Sequence, residues 1–259
     1  MTASTLDPTP EIMADITNGI ADTSHAPSAS SEALPKPTIS STVTVTNPIT
    51  ILHLPNNITV RHFRPSDAIE LVRHCNNHKL AINMRDRFPH PYTLQDAESW
   101  VNQNLSTTND WEPSSTSPSS TSDNDFPPTG PRVPPTYIVA QNDLPIGSVG
   151  LIFHSDVGQR KAEIGYWLGE QYWGQGLMTG VLRAFVDWTW RTFPQLIRLE
   201  GVVFAWNKGS CRVLEKCGFE FEARRRCAAW KEGRVVDLLE FGLVREGWEG
   251  RSCEMVPLI

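Results

Sequence analysis

The residues most able to do chemistry stand in the run Gln171-Tyr-Trp-Gly-Gln-Gly176. Two glycines at this spacing let the backbone turn so that several N–H groups converge, and the helix expected after them adds its positive N-terminal end. Such a cradle suits a pyrophosphate. The pattern is not a dinucleotide fingerprint, because no GxGxxG is present, and it is not a P-loop, because no GK[ST] follows. A second candidate, His74-Cys75-x-x-His78, puts two imidazoles on one helical face. It lacks a further ligand pair, so no metal is expected.

The elements needed to hold the glycine run are legible around it. Ala162–Leu168 reads as a strand with Ala162, Ile164, Tyr166 and Leu168 on one face and Glu163, Gly165 and Trp167 on the other. A helix is expected over 176–191, with Leu177, Val181, Ala184, Phe185 and Trp188 at helical spacing. Leu199–Ala205 reads as a buried strand. Asn207–Cys217 reads as a short helix closed by Gly218. Strands over 219–226 and 235–244 flank a turn at Lys231-Glu-Gly-Arg234.

Upstream, Ile58–Phe63 reads as the first strand, and Arg64-Pro-Ser-Asp67 opens a helix with apolar positions Ile69, Val72 and Cys75. Two prolines stiffen the loop Asp86–Tyr92. Thr93-x-x-Asp96 resembles a capping box ahead of Leu94, Ala97, Val101 and Leu105. Tyr137–Ala140 and Gly147–Phe153 form a hairpin around Asn142-Asp-Leu-Pro145.

Two stretches do not belong to any of these elements. Residues 1–50 carry Asp7, Glu11, Asp15, Asp22 and Glu32 against Lys36 alone, amid Ser, Thr, Pro and Ala. They hold too little apolar surface to offset the entropy of ordering. Between Ser106 and Pro135, 12 of 30 residues are Ser or Thr and 7 are Pro, which argues for a disordered insertion. The expected organisation is a disordered tail over 1–50, a single domain over 51–250 interrupted at 106–135, and a C-terminal tail over 251–259. Both acidic stretches account for the formal net charge of −6, so the folded part is close to neutral. That gives no basic footprint for nucleic acid. No apolar run of 18 residues offers a membrane span. Five cysteines without a CxxC pair and no secretory leader favour a reducing compartment, cytoplasmic or nuclear.

Ala162-Glu-Ile-Gly-Tyr-Trp-Leu-Gly169, Gln171-x-x-Gly-x-Gly176 and Asn207-Lys-Gly-Ser-Cys-Arg-Val-Leu-Glu-Lys-Cys-Gly-Phe219 together resemble the GNAT superfamily of N-acetyltransferases. Arg64-Pro-Ser-Asp67 and Phe88-Pro-His-Pro-Tyr92 are similar to the branch containing ribosomal-protein N-terminal-alanine acetyltransferases. The resemblance covers roughly residues 58–245 without the insertion. It implies an α/β (α+β) fold with a mixed, mostly antiparallel sheet, splayed between 162–168 and 199–205 and flanked by helices.

It also implies acetyl-CoA as cosubstrate and a primary amine as acceptor, on a small molecule or a protein N-terminus. The pantetheine arm would meet the strand edge at Leu168. Gln171, Gly174, Gln175, Gly176 and Leu177 would hold the pyrophosphate, and Asn207 would contact the pantetheine region, a role compatible with capping its helix. Glu163 is the implied general base, with Glu200 as second choice. His90 and Tyr92 fall on the loop that borders the acceptor in this family. Many members carry a tyrosine where Leu214 stands, so the resemblance leaves the role of general acid to Ser210. The competing expectation is a non-catalytic acetyl-CoA-binding module with a regulatory or scaffolding role.

Overall fold

A computed structural model describes residues 49–108 and 136–248. The expectations for 1–48, for 109–135 and for 249–259 lie outside the described residues. Eight strands form one sheet: β1 (Thr50–Leu54), β2 (Ile58–Arg61), β3 (Thr136–Gln141), β4 (Leu144–Phe153), β5 (Lys161–Leu168), β6 (Arg198–Phe204), β7 (Glu220–Lys231) and β8 (Arg234–Val244). Their order is β1-β2-β3-β4-β5-β6-β8-β7. Every neighbouring pair is antiparallel except β5 with β6, which is parallel.

Tight turns fix the antiparallel pairs. Asn142 and Asp143 both have positive φ, 49° and 68°, as a two-residue hairpin turn of primed type demands. The loop is therefore shorter than the expected 142–145, and Leu144 and Pro145 already belong to β4. Asn56 and Asn57 make a similar turn between β1 and β2. Strand β1 was not expected. It begins at Thr50, inside the stretch read as tail, and is held by pairing with β2 and by Ile51, Leu52 and Leu54 packed against the core.

Helices cover both faces of the sheet. On one face lie α4 (Leu177–Thr192) and α5 (Lys208–Lys216), with Val181, Leu182, Phe185, Leu199, Val203 and Leu214 in the core. On the other lie α1 (Ala68–Cys75), the single turn α2 (His78–Ala81) and α3 (Leu94–Thr108), packed through Leu71, Cys75, Ala97, Val101 and Ile138.

The α1 face differs from expectation. Ile69 is 60% exposed, and the buried residues are Ala68, Leu71 and Cys75. A 3-10 turn over Pro65–Asp67 precedes the helix, and buried Asp67 takes hydrogen bonds of 2.8 and 2.9 Å from the Arg61 guanidinium. That anchor fixes the rotation of α1. On α4 the buried stripe is Met178, Val181, Leu182, Phe185, Val186 and Thr189, one position round from the expected face, so Leu177, Ala184 and Trp188 are only partly covered.

The Thr93 capping box forms: the Thr93 N–H donates to Asp96 Oδ2 at 2.8 Å, and the Asp96 N–H donates to Thr93 Oγ1 at 3.2 Å. From there α3 continues to Thr108, so the first three residues assigned to the insertion are helical. Among the described residues no helix is long and apolar enough to cross a membrane.

Candidate active site

The parallel pair that interrupts the sheet is short. β5 and β6 are in register only from Lys161/Arg198 to Glu163/Glu200. Beyond that point β5 stays with β4 as far as Leu168, while β6 stays with β8 as far as Phe204. The two strands therefore splay. A cavity of about 840 Å³ occupies the gap. Its lining alternates with the strand pleat: Ile164, Tyr166, Val203, Ser210 and Leu214 belong to the α4/α5 side, and Glu163, Trp167 and Phe204 belong to the opposite side. The cavity is thus a slot in the sheet, lined from both of its faces.

Glu163 stands on the α1–α3 side of this slot with its side chain 14% exposed. Both its oxygens take hydrogen bonds from Arg85 Nη2, that to Oε2 at 2.6 Å. The carboxylate is thereby at the cavity and also paired with a cation. Glu200 is not in the lining. It takes hydrogen bonds from Arg198 at 2.9 Å and Lys161 at 3.1 Å, with His154 at 3.6 Å. Burial alone would raise its carboxyl, but the bonds from Arg198 and Lys161 outweigh that and hold it below the usual range. These cations hold Glu200 as an anion outside the cavity lining.

Ser210 lines the slot from the first turn of α5. Its N–H donates to Asn207 Oδ1 at 3.1 Å, so Asn207 caps the helix and also borders the cavity. The Ser210 hydroxyl lies 2.8 Å from the Tyr166 phenol.

The glycine run forms an exposed turn between β5 and α4, outside the cavity lining. Gly174 and Gly176 have φ of 73° and 76°, and a Cβ on either would touch nothing within 4 Å. Left-handed backbone, not crowding, requires glycine at both, and the space above them is open. Gln175 Nε2 donates to the Gln171 carbonyl at 2.8 Å and braces the turn. Leu177 begins α4, whose 16 residues direct a positive end at this turn. The Leu168 carbonyl accepts from the Trp173 indole at 2.7 Å, so this edge position already has a partner.

Of the two residues expected on the acceptor loop, only Tyr92 reaches the cavity, buried against Phe88 with ring centroids 5.0 Å apart. His90 does not. It is exposed and packs on His78 at 5.4 Å. His74 packs on Tyr172 while His78 bonds to Glu232, so the two imidazoles have separate neighbours.

The residues missed from sequence are those on the Glu163 side of the slot. Arg85 reaches Glu163, Asp86 takes a bond from buried Lys231 at 2.9 Å, and Asn83 takes one from the Trp206 indole at 3.0 Å. Arg234 covers the Trp206 ring at 4.7 Å. The charged run Arg85-Asp86-Arg87 was the available signal, but nothing in it names a partner.

A mixed sheet opened at its parallel pair, with a glycine turn at a helix start beside the opening, defines the acetyltransferase class of α/β domain. Residues 57–220 match the family model described as an acetyltransferase (GNAT) domain, well over half of the 259 residues, and the chain belongs to that family. It is 32% identical over 97 residues to a putative ribosomal N-acetyltransferase, YdaF, of Bacillus subtilis, covering 38% of this chain and 52% of that one. It is 36% identical over 105 residues to a probable N-acetyltransferase, YjcK, of the same organism, covering 39% and 58%. The chain thus spans little more than half the length of these curated relatives. Among solved structures, RimL, a ribosomal L7/L12 alpha-N-protein acetyltransferase in complex with coenzyme A, superposes with a TM-score of 0.61 at 17% identity, over 76% of this chain and 98% of that one. A ribosomal-protein-S5-alanine acetyltransferase from Vibrio fischeri gives 0.58 at 18% identity, over 78% and 99%. At these identities the likeness establishes the fold.

Proposed function

We propose that the chain is an acetyl-CoA-dependent N-acetyltransferase that acylates a primary amine, with a free protein N-terminus as its acceptor. The observation that carries this reading is the slot in the sheet, with Glu163 toward one face and Ser210 toward the other. The turn at Gln171, Gly174, Gln175, Gly176 and Leu177 would receive the pyrophosphate, and the β5 edge toward Leu168, with Asn207 opposite, would guide the pantetheine arm. Tyr92 would border the acceptor.

The reaction is aminolysis of a thioester, and holding the reactants in attack geometry is worth up to ~7–11 kcal/mol in well-oriented cases. An incoming ammonium exchanges with Arg85 as the counter-ion of Glu163. The carboxylate takes its proton, and the nitrogen lone pair attacks the thioester carbonyl. The nitrogen gives up its second proton to solvent as the C–S bond breaks, and the sulfur leaves as a thiolate toward the Ser210 hydroxyl. A protein N-terminus suits this arrangement because an α-amine has a pKa of ~7.7–8.0 against ~10.4 for lysine, so it asks less of a salt-bridged base. The likeness to a putative ribosomal N-acetyltransferase, and to a ribosomal L7/L12 alpha-N-protein acetyltransferase and a ribosomal-protein-S5-alanine acetyltransferase among solved structures, supports the same choice. Cys75, Cys211, Cys217 and Cys227 are free, which fits a cytoplasmic setting.

The test is release of free CoA when acetyl-CoA is offered with peptides bearing a free N-terminus, N-blocked peptides bearing lysine, and polyamines. We expect release with the free N-terminus at pH 7.5. Binding of acetyl-CoA without release for any amine would instead identify a non-catalytic module.

A further inference from the structure

Tyr166 was expected on one face of its strand with Ala162, Ile164 and Leu168. It does lie on that face, but its phenol ends at the wall of the slot. The Tyr166 oxygen is 2.8 Å from Ser210 Oγ and 3.3 Å from the Ser210 carbonyl. It meets α5 from across the gap, because β5 and β6 have already separated at this level. Ser210 is held at a second point, through its N–H on Asn207 Oδ1. Both hydroxyls line the cavity.

A phenol has one proton, and here it has two acceptors within reach. If that proton goes to the Ser210 carbonyl, the serine hydrogen must point at the phenol oxygen, away from the slot. When it goes to Ser210 Oγ, at the shorter distance, the serine's own hydrogen is free to turn into the slot. Burial pushes the Tyr166 hydroxyl well above the ordinary tyrosine range, so it stays protonated and acts only through hydrogen bonds. The nearest ionisable neighbours are Cys211 and Cys217 on the α5 side, both raised by burial and hence neutral thiols. Lys208, Arg212 and Glu215 bear on Cys211 from α5, and Glu163 lies on the other face of β5. No other phenol or carboxylate competes for Ser210 Oγ among the described residues.

We propose that Tyr166 is a positioning residue for the leaving group: its phenol donates to Ser210 Oγ, so that the serine hydrogen points at the sulfur released from the acetyl donor. The proposal rests on the acetyl-CoA reading above. As the C–S bond breaks, the sulfur keeps the electron pair and leaves as a thiolate that accepts the Ser210 hydrogen bond. No proton leaves Tyr166, and the thiolate is protonated later from solvent.

The experiment uses CoA itself, whose free thiol puts the same sulfur in the same place without needing an acceptor. The bound thiol of the full chain is titrated by the ultraviolet absorbance of its thiolate. A donor aimed at the sulfur should lower its pKa by about one unit from the ordinary thiol value near 8.5. Ser210→Ala should restore the ordinary value, and Tyr166→Phe, which keeps the ring and its packing, should restore most of it. The double variant should do no more than Ser210→Ala alone. Ser210→Thr, which keeps a hydroxyl, should retain the lowered value and serves if Tyr166→Phe does not fold. An unshifted thiol in the wild type, or Tyr166→Phe with the wild-type shift, overturns the proposal. So does Ser210→Thr titrating like Ser210→Ala. A wild-type chain that binds no CoA overturns the acetyl-CoA reading itself, a distinct outcome.

Discussion

On the Ser210 side of the sheet, the caps and turns bond partners three to five residues apart, Asn207 with Ser210, Gln171 with Gln175 and Leu168 with Trp173, and the exception is Tyr166 with Ser210, 44 residues apart. On the Glu163 side they lie 78 to 154 residues apart: Arg85 with Glu163, Asn83 with Trp206, Asp86 with Lys231, His78 with Glu232. The first wall is a set of local caps and turns that the chain makes wherever those residues occur. The second exists only once the 82–93 loop meets β5 and the β7–β8 hairpin. A cofactor common to many proteins can be met by the first kind of construction. An acceptor particular to one is met by the second, through loops that vary without disturbing the sheet.

If the two walls have these separate tasks, changes on the Glu163 side should leave the cofactor alone. The largest effect belongs to Glu163→Gln. We expect kcat to fall by ~10²–10⁴, the range for general-base catalysis, toward the lower end for an α-amine. Raising the pH should recover part of the rate by deprotonating the amine in solution. Wild-type kcat at pH 7 would remove Glu163 as the base.

The Asp86–Lys231 pair sharpens the comparison through stability. Lys231 is buried with its side chain 7% exposed, while Asp86 is 75% exposed. Removing the exposed partner strands the buried charge, whereas removing the buried one takes the charge away. Asp86→Asn should therefore cost roughly 1–2 kcal/mol in denaturant unfolding, and Lys231→Met less. Equal losses would mean that the pair contributes only a surface contact.

Arg85→Gln should have a smaller effect, on the acceptor alone. It removes the cation that an ammonium must displace, so the amine KM should drop, by about fivefold at most for a pair this exposed. A higher KM in initial-rate measurements would make Arg85 an acceptor contact instead. The smallest effect is expected from shortening residues 109–135. If they form a surface insertion, the closure cost changes only with the logarithm of length. A fall of several degrees in melting temperature would show that they pack.

The same split explains what could be read from sequence. The β5 face alternation, the Asn207 cap, the Gly218 stop at φ 89° and the glycine turn all follow from short-range rules, and the structure contains each of them. The splay between β5 and β6 came from the family resemblance, since a free strand edge leaves no mark in composition. Strand β1 escaped because its signal is a pairing, not a pattern. That Tyr92 but not His90 lines the cavity, and that Arg85 reaches Glu163, were not legible for a related reason: which side of a proline-stiffened loop faces the cavity depends on what packs beneath it. Here that is Phe88, packed between Tyr92 and Trp167.

The separation of the two walls is tested most directly by calorimetric titration of acetyl-CoA into two folded variants, Gly176→Asp and Glu163→Gln. Aspartate at 176 sets a negative charge, on backbone of φ 76°, where phosphates would approach. Like-charge juxtaposition of this kind should cost about a hundredfold or more in affinity. Glu163→Gln should bind acetyl-CoA as the wild type does while failing to turn it over. Wild-type affinity in Gly176→Asp, or parallel loss of affinity in Glu163→Gln, would contradict the division of the slot into a cofactor wall and an acceptor wall.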